Sequence, residues 1–166
     1  MHHIVVMGVA GCGKSTVGVL LAAALDAPFL DADSLHPAEN VAKMAAGTPL
    51  DDADRAPWLA AVAARFAGDH SLVIACSALR VAYRDLIRAG APDVVFVHLH
   101  GTPELLAARI GARPGHFMPP AMLASQLATL EPLLAAESGF VLDVASDPHE
   151  LVDAALARLV PVSRPS

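Results

Sequence analysis

The chain has 166 residues, is 55% hydrophobic and carries a net charge of −6. That length suits one domain with a proper core, and the acidic balance lacks the basic footprint that nucleic-acid binding requires. No apolar stretch is long enough to span a bilayer, and the two cysteines, Cys12 and Cys76, form neither a C-x-x-C nor a zinc pattern.

The first predicted strand is Ile4–Met7. It is short and leads straight into a glycine-rich turn, so it reads as a core strand rather than a signal peptide. The turn, Gly8-Val9-Ala10-Gly11-Cys12-Gly13-Lys14-Ser15-Thr16, fits G-x-x-x-x-G-K-[ST] in full. A helix is predicted over Ser15–Leu25. Glycines let backbone N–H groups curl around phosphate oxygens, and the helix N-terminus adds partial positive charge. Lys14 can reach the β- and γ-phosphates, and the Ser15 hydroxyl can ligate Mg²⁺. Cys12 contributes its backbone N–H and should leave the loop intact.

The second strand, Pro28–Leu30, runs into Asp31-Ala32-Asp33. Carboxylates at strand C-termini face the ligand crevice of an open α/β sheet. Residues two apart can point the same way, and phosphoryl transfer needs one carboxylate near the metal and one near the attacking hydroxyl. A turn-forming aspartate pair is the alternative. Helices are predicted at Pro37–Ala46 and Asp54–Ala67, with Asp54 as cap and Pro57 in the first turn. The excursion from Ser34 to Gly68 is a natural acceptor-binding insertion.

The third strand, Leu72–Ala75, precedes a helix at Leu79–Ala89. Arg80 and Arg84 lie four apart, so a shared helix face would form an anion site for a substrate carboxylate or phosphate; a solvated face is the alternative. Arg88 reads as surface. The fourth strand, Val94–Leu99, is followed by a helix at Pro103–Ile110, capped by Thr102 ahead of proline. Gly111 to Pro120 is a Gly/Pro loop that reads as a lid flanked by Arg109 and Arg113, which could stabilise charge on the transferred phosphoryl group. His116 within it is a candidate closing contact, and His36 a candidate substrate contact. His98, His100 and the other histidines read as structural, and Trp58 as core. A helix at Pro120–Leu130, a strand at Phe140–Val144 and a helix at Pro148–Leu159 behind Asp147 complete the chain. The tail from Pro161 to Ser166 reads as frayed. Alternating strands and helices indicate a parallel five-stranded sheet with helices on both faces.

Beyond the phosphate loop, the chain resembles the gluconate kinases, small P-loop carbohydrate kinases akin to shikimate kinase and the nucleoside monophosphate kinases. The residues carrying the resemblance are Phe29 to Pro37 with Asn40 and Lys43-Met44, Gly47 to Asp52, and Asp54-Arg55-Ala56-Pro57-Trp58-Leu59. Cys76 to Arg80, Tyr83-Arg84-Asp85, Arg113 to Phe117, Ser125-Gln126 and Thr129 to Pro132 continue it. The resemblance implies a nucleoside-monophosphate-kinase-like P-loop fold with a lid, and ATP- and Mg²⁺-dependent phosphorylation of D-gluconate at its 6-hydroxyl by a cytoplasmic homodimer. It implies catalytic roles for Lys14, Asp33, Arg109 and Arg113. Nucleotide contacts fall on Gly8, Gly11, Cys12, Gly13, Lys14, Ser15, Thr16, Arg109 and Pro148. Acceptor contacts fall on Asp33, His36, Arg55, Arg80, Arg84, His116 and Gln126, and metal contacts on Ser15 and Asp31. Cys12 where serine is frequent, Pro114, and a short stretch after Pro132 depart from the family pattern. A nucleotide or shikimate kinase is the nearest rival. A GTPase switch would need N-K-x-D, which is absent, since Asn40 is the chain's sole asparagine and is followed by Val41-Ala42.

Overall fold

Continuous apolar runs become strands buried on both faces, as parallel sheets demand. The computed structural model describes residues 1–114 and 120–159. In chain order they form β1 (His3–Met7), α1 (Lys14–Ala24), β2 (Phe29–Asp31), a 3₁₀ turn (Ala32–Leu35), α2 (Ala38–Ala45), α3 (Asp52–Ala64) and β3 (Leu72–Ala75). Then follow α4 (Val81–Gly90), β4 (Val95–His100), α5 (Pro103–Gly111), α6 (Pro120–Thr129), β5 (Gly139–Asp143) and α7 (Pro148–Leu159). All five strands run parallel in the order β2-β3-β1-β4-β5. Central β1 pairs Val5 with Ile74 on one side and Phe96 on the other.

Alternation along β1 feeds two cores. Ile4 and Val6 pack with Val17 and Leu21 of α1, Leu106 of α5, Leu123 of α6 and Leu151 of α7. Val5 and Met7 pack with Trp58, Leu59 and Val62 of α3 and with Tyr83 and Ile87 of α4. Phosphate loop and acceptor groups therefore meet at the carboxyl ends of the strands, where such sheets bind ligands.

Two helix starts differ from expectation by two residues. Asp51, not Asp54, caps α3: its side chain accepts from Asp54 N at 2.8 Å, while Asp54 Oδ2 accepts from Asp51 N at 3.1 Å, a reciprocal capping box. Pro57 consequently stands in the second turn. α4 begins at Val81, with Arg80 as an extended residue (φ −101°, ψ 150°) ahead of it. Thr102 caps α5 as expected, accepting from Leu105 N at 3.3 Å. Of the predicted lid, residues 115–119, His116 among them, lie outside the described residues, as does the tail from Val160.

Candidate active site

The phosphate loop joins β1 to α1 through Gly8, Gly11 and Gly13, all at positive φ (144°, 79° and 89°). A Cβ at Gly8 would stand 2.6 Å from the Leu99 carbonyl oxygen, and one at Gly11 2.7 Å from Ile110 Cγ1. These two positions exclude side chains by conformation and by space together. Cys12 keeps the loop intact: its side chain is buried, and burial pushes the thiol pKa up against the pull of Lys14. Lys14 Nζ donates to the Val9 carbonyl at 3.2 Å. That bond curls the ammonium back over its own loop, where an anion would sit.

β2 delivers the carboxylates. Ser15 Oγ donates to Asp31 Oδ2 at 3.0 Å, and Asp31 Oδ1 accepts from Asp33 N at 3.0 Å. The sequence placed a metal here, and the donor chemistry fits. A hydroxyl and a carboxylate at the head of a phosphate loop are hard oxygen ligands, and Mg²⁺ takes few protein ligands, the rest coming from phosphates and water. No group of three or more His, Cys, Asp and Glu residues gathers to hold a metal among the described residues.

One side of the loop opens on a cleft of about 280 Å³. Gly13, Thr16, Arg109, Arg113, Ser146 and Pro148 are among the residues that line it. Arg109 donates to the Val144 carbonyl, which steadies it between α5 and the end of β5. Arg113 is exposed just beyond α5, its N–H bonded to the Ile110 carbonyl. Seven of the sequence candidates, Gly11 and Cys12 among them, thus share one cleft. Ser146 was missed, although its place in the turn before α7 is a signal for it.

On the other side lie the acceptor candidates. His36 stacks on Trp58 at 4.2 Å and 14°, and Trp58 Nε1 donates to the Ala32 carbonyl at 2.7 Å. His36 Nε2 lies 4.0 Å from Asp33 Oδ1. Burial lowers the His36 pKa and Arg55 adds to this, while Asp33 opposes both. Arg55 and Arg80 bring their guanidinium carbons to 5.5 and 5.9 Å from the Tyr83 ring centre. Tyr83 Oη donates to Asp52 Oδ1 at 2.7 Å, and Arg80 pairs with Asp52 Oδ2 at 3.4 Å. Burial raises the Tyr83 pKa, and the bond to Asp52 adds to it. Sequence reasoning missed Tyr83 as the ring on which two arginines converge, although it lies three residues from Arg80.

Two candidates point elsewhere. Arg84 does not share a face with Arg80, because Arg80 is extended and only Arg84 is helical. Arg84 is fully buried. It grips Glu137 through Nε and Nη2 at 2.7 and 3.0 Å and donates to the carbonyls of Ala78, Leu79, Glu131 and Pro132. With its donors so engaged, it is a structural clasp and not an acceptor contact. Gln126 turns its Oε1 to the Ala10 N–H of the phosphate loop at 2.7 Å. It braces that loop from α6, a role that residues 116 positions apart did not betray.

Parallel sheet, phosphate loop and two-sided site define a P-loop phosphotransferase. A family model described as shikimate kinase matches residues 10–159. The chain is 48% identical over 136 residues to the thermoresistant gluconokinase of Escherichia coli (strain K12), covering 78% of this chain and 77% of that one. A gluconokinase crystal structure from Sinorhizobium meliloti 1021 matches with a TM-score of 0.89 at 48% identity, over 95% of this chain and 91% of that one. Shikimate kinase from Acinetobacter baumannii, in complex with shikimate, shares the fold at a TM-score of 0.64 and 17% identity, over 99% and 96% of the two chains. The chain belongs to the gluconokinase family, within the shikimate-kinase-like P-loop kinases. It is accordingly a kinase that uses ATP and acts on a small molecule. No helix among the described residues is long and apolar enough to cross a membrane.

Proposed function

We propose that the protein transfers the γ-phosphoryl group of ATP to the 6-hydroxyl of D-gluconate, giving 6-phospho-D-gluconate and ADP. The observation that carries this reading is the pairing, beside one phosphate loop, of a hydroxyl-binding corner (Asp33, His36) with a converging arginine pair (Arg55, Arg80). A polyol with a terminal carboxylate needs that combination: guanidinium donors for the carboxylate and mixed donors and acceptors for the hydroxyls. The gluconokinase names of relatives up to 48% identical point to the same substrate.

The phosphate loop and Lys14 bind and orient the triphosphate. Arg109 and Arg113 face the same cleft and offset charge that develops on the transferred group. Asp33 orients the attacking hydroxyl and takes its proton as the new P–O bond forms and the bond to ADP breaks. Ser15 and Asp31 would hold Mg²⁺, which when bound neutralises charge on the phosphates. Residues 34–68 serve as the acceptor-binding insertion and 111–120 as the lid over the nucleotide, all within one domain. The homodimeric state and cytoplasmic location rest on the family resemblance.

The test is ADP release with Mg-ATP across gluconate, other aldonates, shikimate and nucleoside monophosphates, with the product identified by phosphorus NMR. Gluconate should be strongly preferred and phosphorylated at C6. Preference for shikimate or a nucleotide would overturn the assignment.

A further inference from the structure

Asn40, on α2, is buried to 3% exposure. Its Nδ2 lies 2.9 Å from the Asp54 carbonyl oxygen and 3.3 Å from His36 Nδ1. A carbonyl can only accept, so the amide atom facing it is the nitrogen, which carries two protons. One proton goes to Asp54, and the other meets Nδ1. Nδ1 must then offer its lone pair, and the single proton of a neutral imidazole resides on Nε2. The Trp58 stack holds the ring plane. Nε2 lies 4.0 Å from Asp33 Oδ1. That gap is too long for a direct hydrogen bond. It admits one oxygen at about 2.8 Å from each group.

We propose that Asn40 is a positioning residue that fixes His36 as an Nε2–H donor, so that His36 and Asp33 together grip one substrate hydroxyl. The inference deepens the proposed function and rests on its placement of the acceptor beside Asp33. A hydroxyl satisfies both partners, accepting from Nε2–H and donating to the carboxylate. A keto oxygen brings no proton for Asp33, and an ammonium brings no lone pair for His36. The corner thus selects alcohols at that position of the substrate. The charged groups facing the ring are Asp33 from the 3₁₀ turn and Arg55 from α3. Burial and Arg55 both favour the neutral ring that this arrangement needs.

The experiment uses the intact enzyme labelled with ¹⁵N-histidine, with His36→Gln locating the His36 signals. At neutral pH the wild-type ring should show a protonated Nε2 and a bare Nδ1. Asn40→Asp, which sets an acceptor against Nδ1, should move the proton there. It should also lower kcat with gluconate by roughly tenfold or more, leaving the ATP KM unchanged. Asn40→Ser, which restores a donor, should recover part of the loss. A wild-type ring protonated on Nδ1 overturns the proposal, as does a shifted proton in Asn40→Asp with unchanged gluconate kinetics. If Asn40→Asp does not fold, the wild-type spectrum still decides. The ring signature does not depend on which acceptor is phosphorylated, so failure here and failure of the gluconate assignment are read separately.

Discussion

Removing the Arg84 side chain distinguishes a structural clasp from a substrate contact. Arg84 and Glu137 are 0% and 1% exposed, and Arg84 also satisfies four carbonyls from two separate loops. Burial pushes the Glu137 pKa up, but Arg84, the Leu134 N–H and Arg88 outweigh it and hold the carboxyl below its ordinary value. Breaking one partner of a buried pair costs about 3–5 kcal/mol, a large part of the roughly 5–15 kcal/mol that holds a domain folded. Arg84→Met should therefore lower the melting temperature by about 10 °C, given roughly 2–4 °C per kcal/mol at this size. Glu137→Leu should cost a similar amount. The double variant should be more stable than the sum of the single losses predicts, because neither charge is left stranded. It should not reach wild type, because the four carbonyls stay bare. Urea unfolding followed by far-ultraviolet circular dichroism, beside gluconate kinetics, measures both effects. If Arg84→Met unfolds at nearly the wild-type midpoint and raises the gluconate KM tenfold, the clasp is wrong and Arg84 is a substrate residue after all.

Lys14→Ala should abolish phosphoryl transfer with the fold intact by circular dichroism, since its charge is aimed at the phosphates. Asp33→Asn should lower kcat by roughly 10²–10⁴-fold while ATP binding, followed by calorimetry, changes little. Arg80→Ala should raise the gluconate KM about tenfold or more, the worth of a charge-assisted bond, and steady-state kinetics in both substrates would expose any effect on ATP instead. His98 is buried, neither ring nitrogen has a partner among the described residues, and burial, then His100 and Arg84, lower its pKa from 6.5 to about 4. The unfolded chain takes up that proton first, so stability present above pH 6.5 is lost as pH falls toward 4, by up to about 3 kcal/mol. His98→Phe should flatten this part of a stability–pH profile, and an unchanged slope would remove His98 as its cause.

The architecture was largely legible because its signals are local. Apolar runs such as Leu72–Ala75 become strands between flanking polar turns, and Thr102-Pro103 marks a helix start by capping chemistry alone. The phosphate loop is local too: a contiguous motif imposes its own backbone. Errors arose where two local signals competed or partners were distant. Asp51 and Asp54 both suit a cap, and only the fold chooses the register in which they cap each other. Reading Arg80 and Arg84 as one face assumed that the helix had already begun at Leu79. Extended Arg80 breaks that assumption, and Glu137, the partner of Arg84, sits 53 residues on in a stretch without periodicity. His36 and Asn40, four residues apart, are close neighbours. Yet His36 precedes α2, so helical spacing alone would not have joined them.

Trp58 is the chain's sole tryptophan, and it stacks on His36 while its indole N–H is tied to Ala32. The molecule thus carries its own optical gauge at the acceptor corner. Any ligand that moves or protonates the imidazole changes the environment of a single fluorophore, with no second emitter of its kind to dilute the signal. Acceptor binding can be titrated by intrinsic emission in unlabelled protein, without turnover and without ATP. The same signal, followed in stopped flow, would order the arrival of the two substrates.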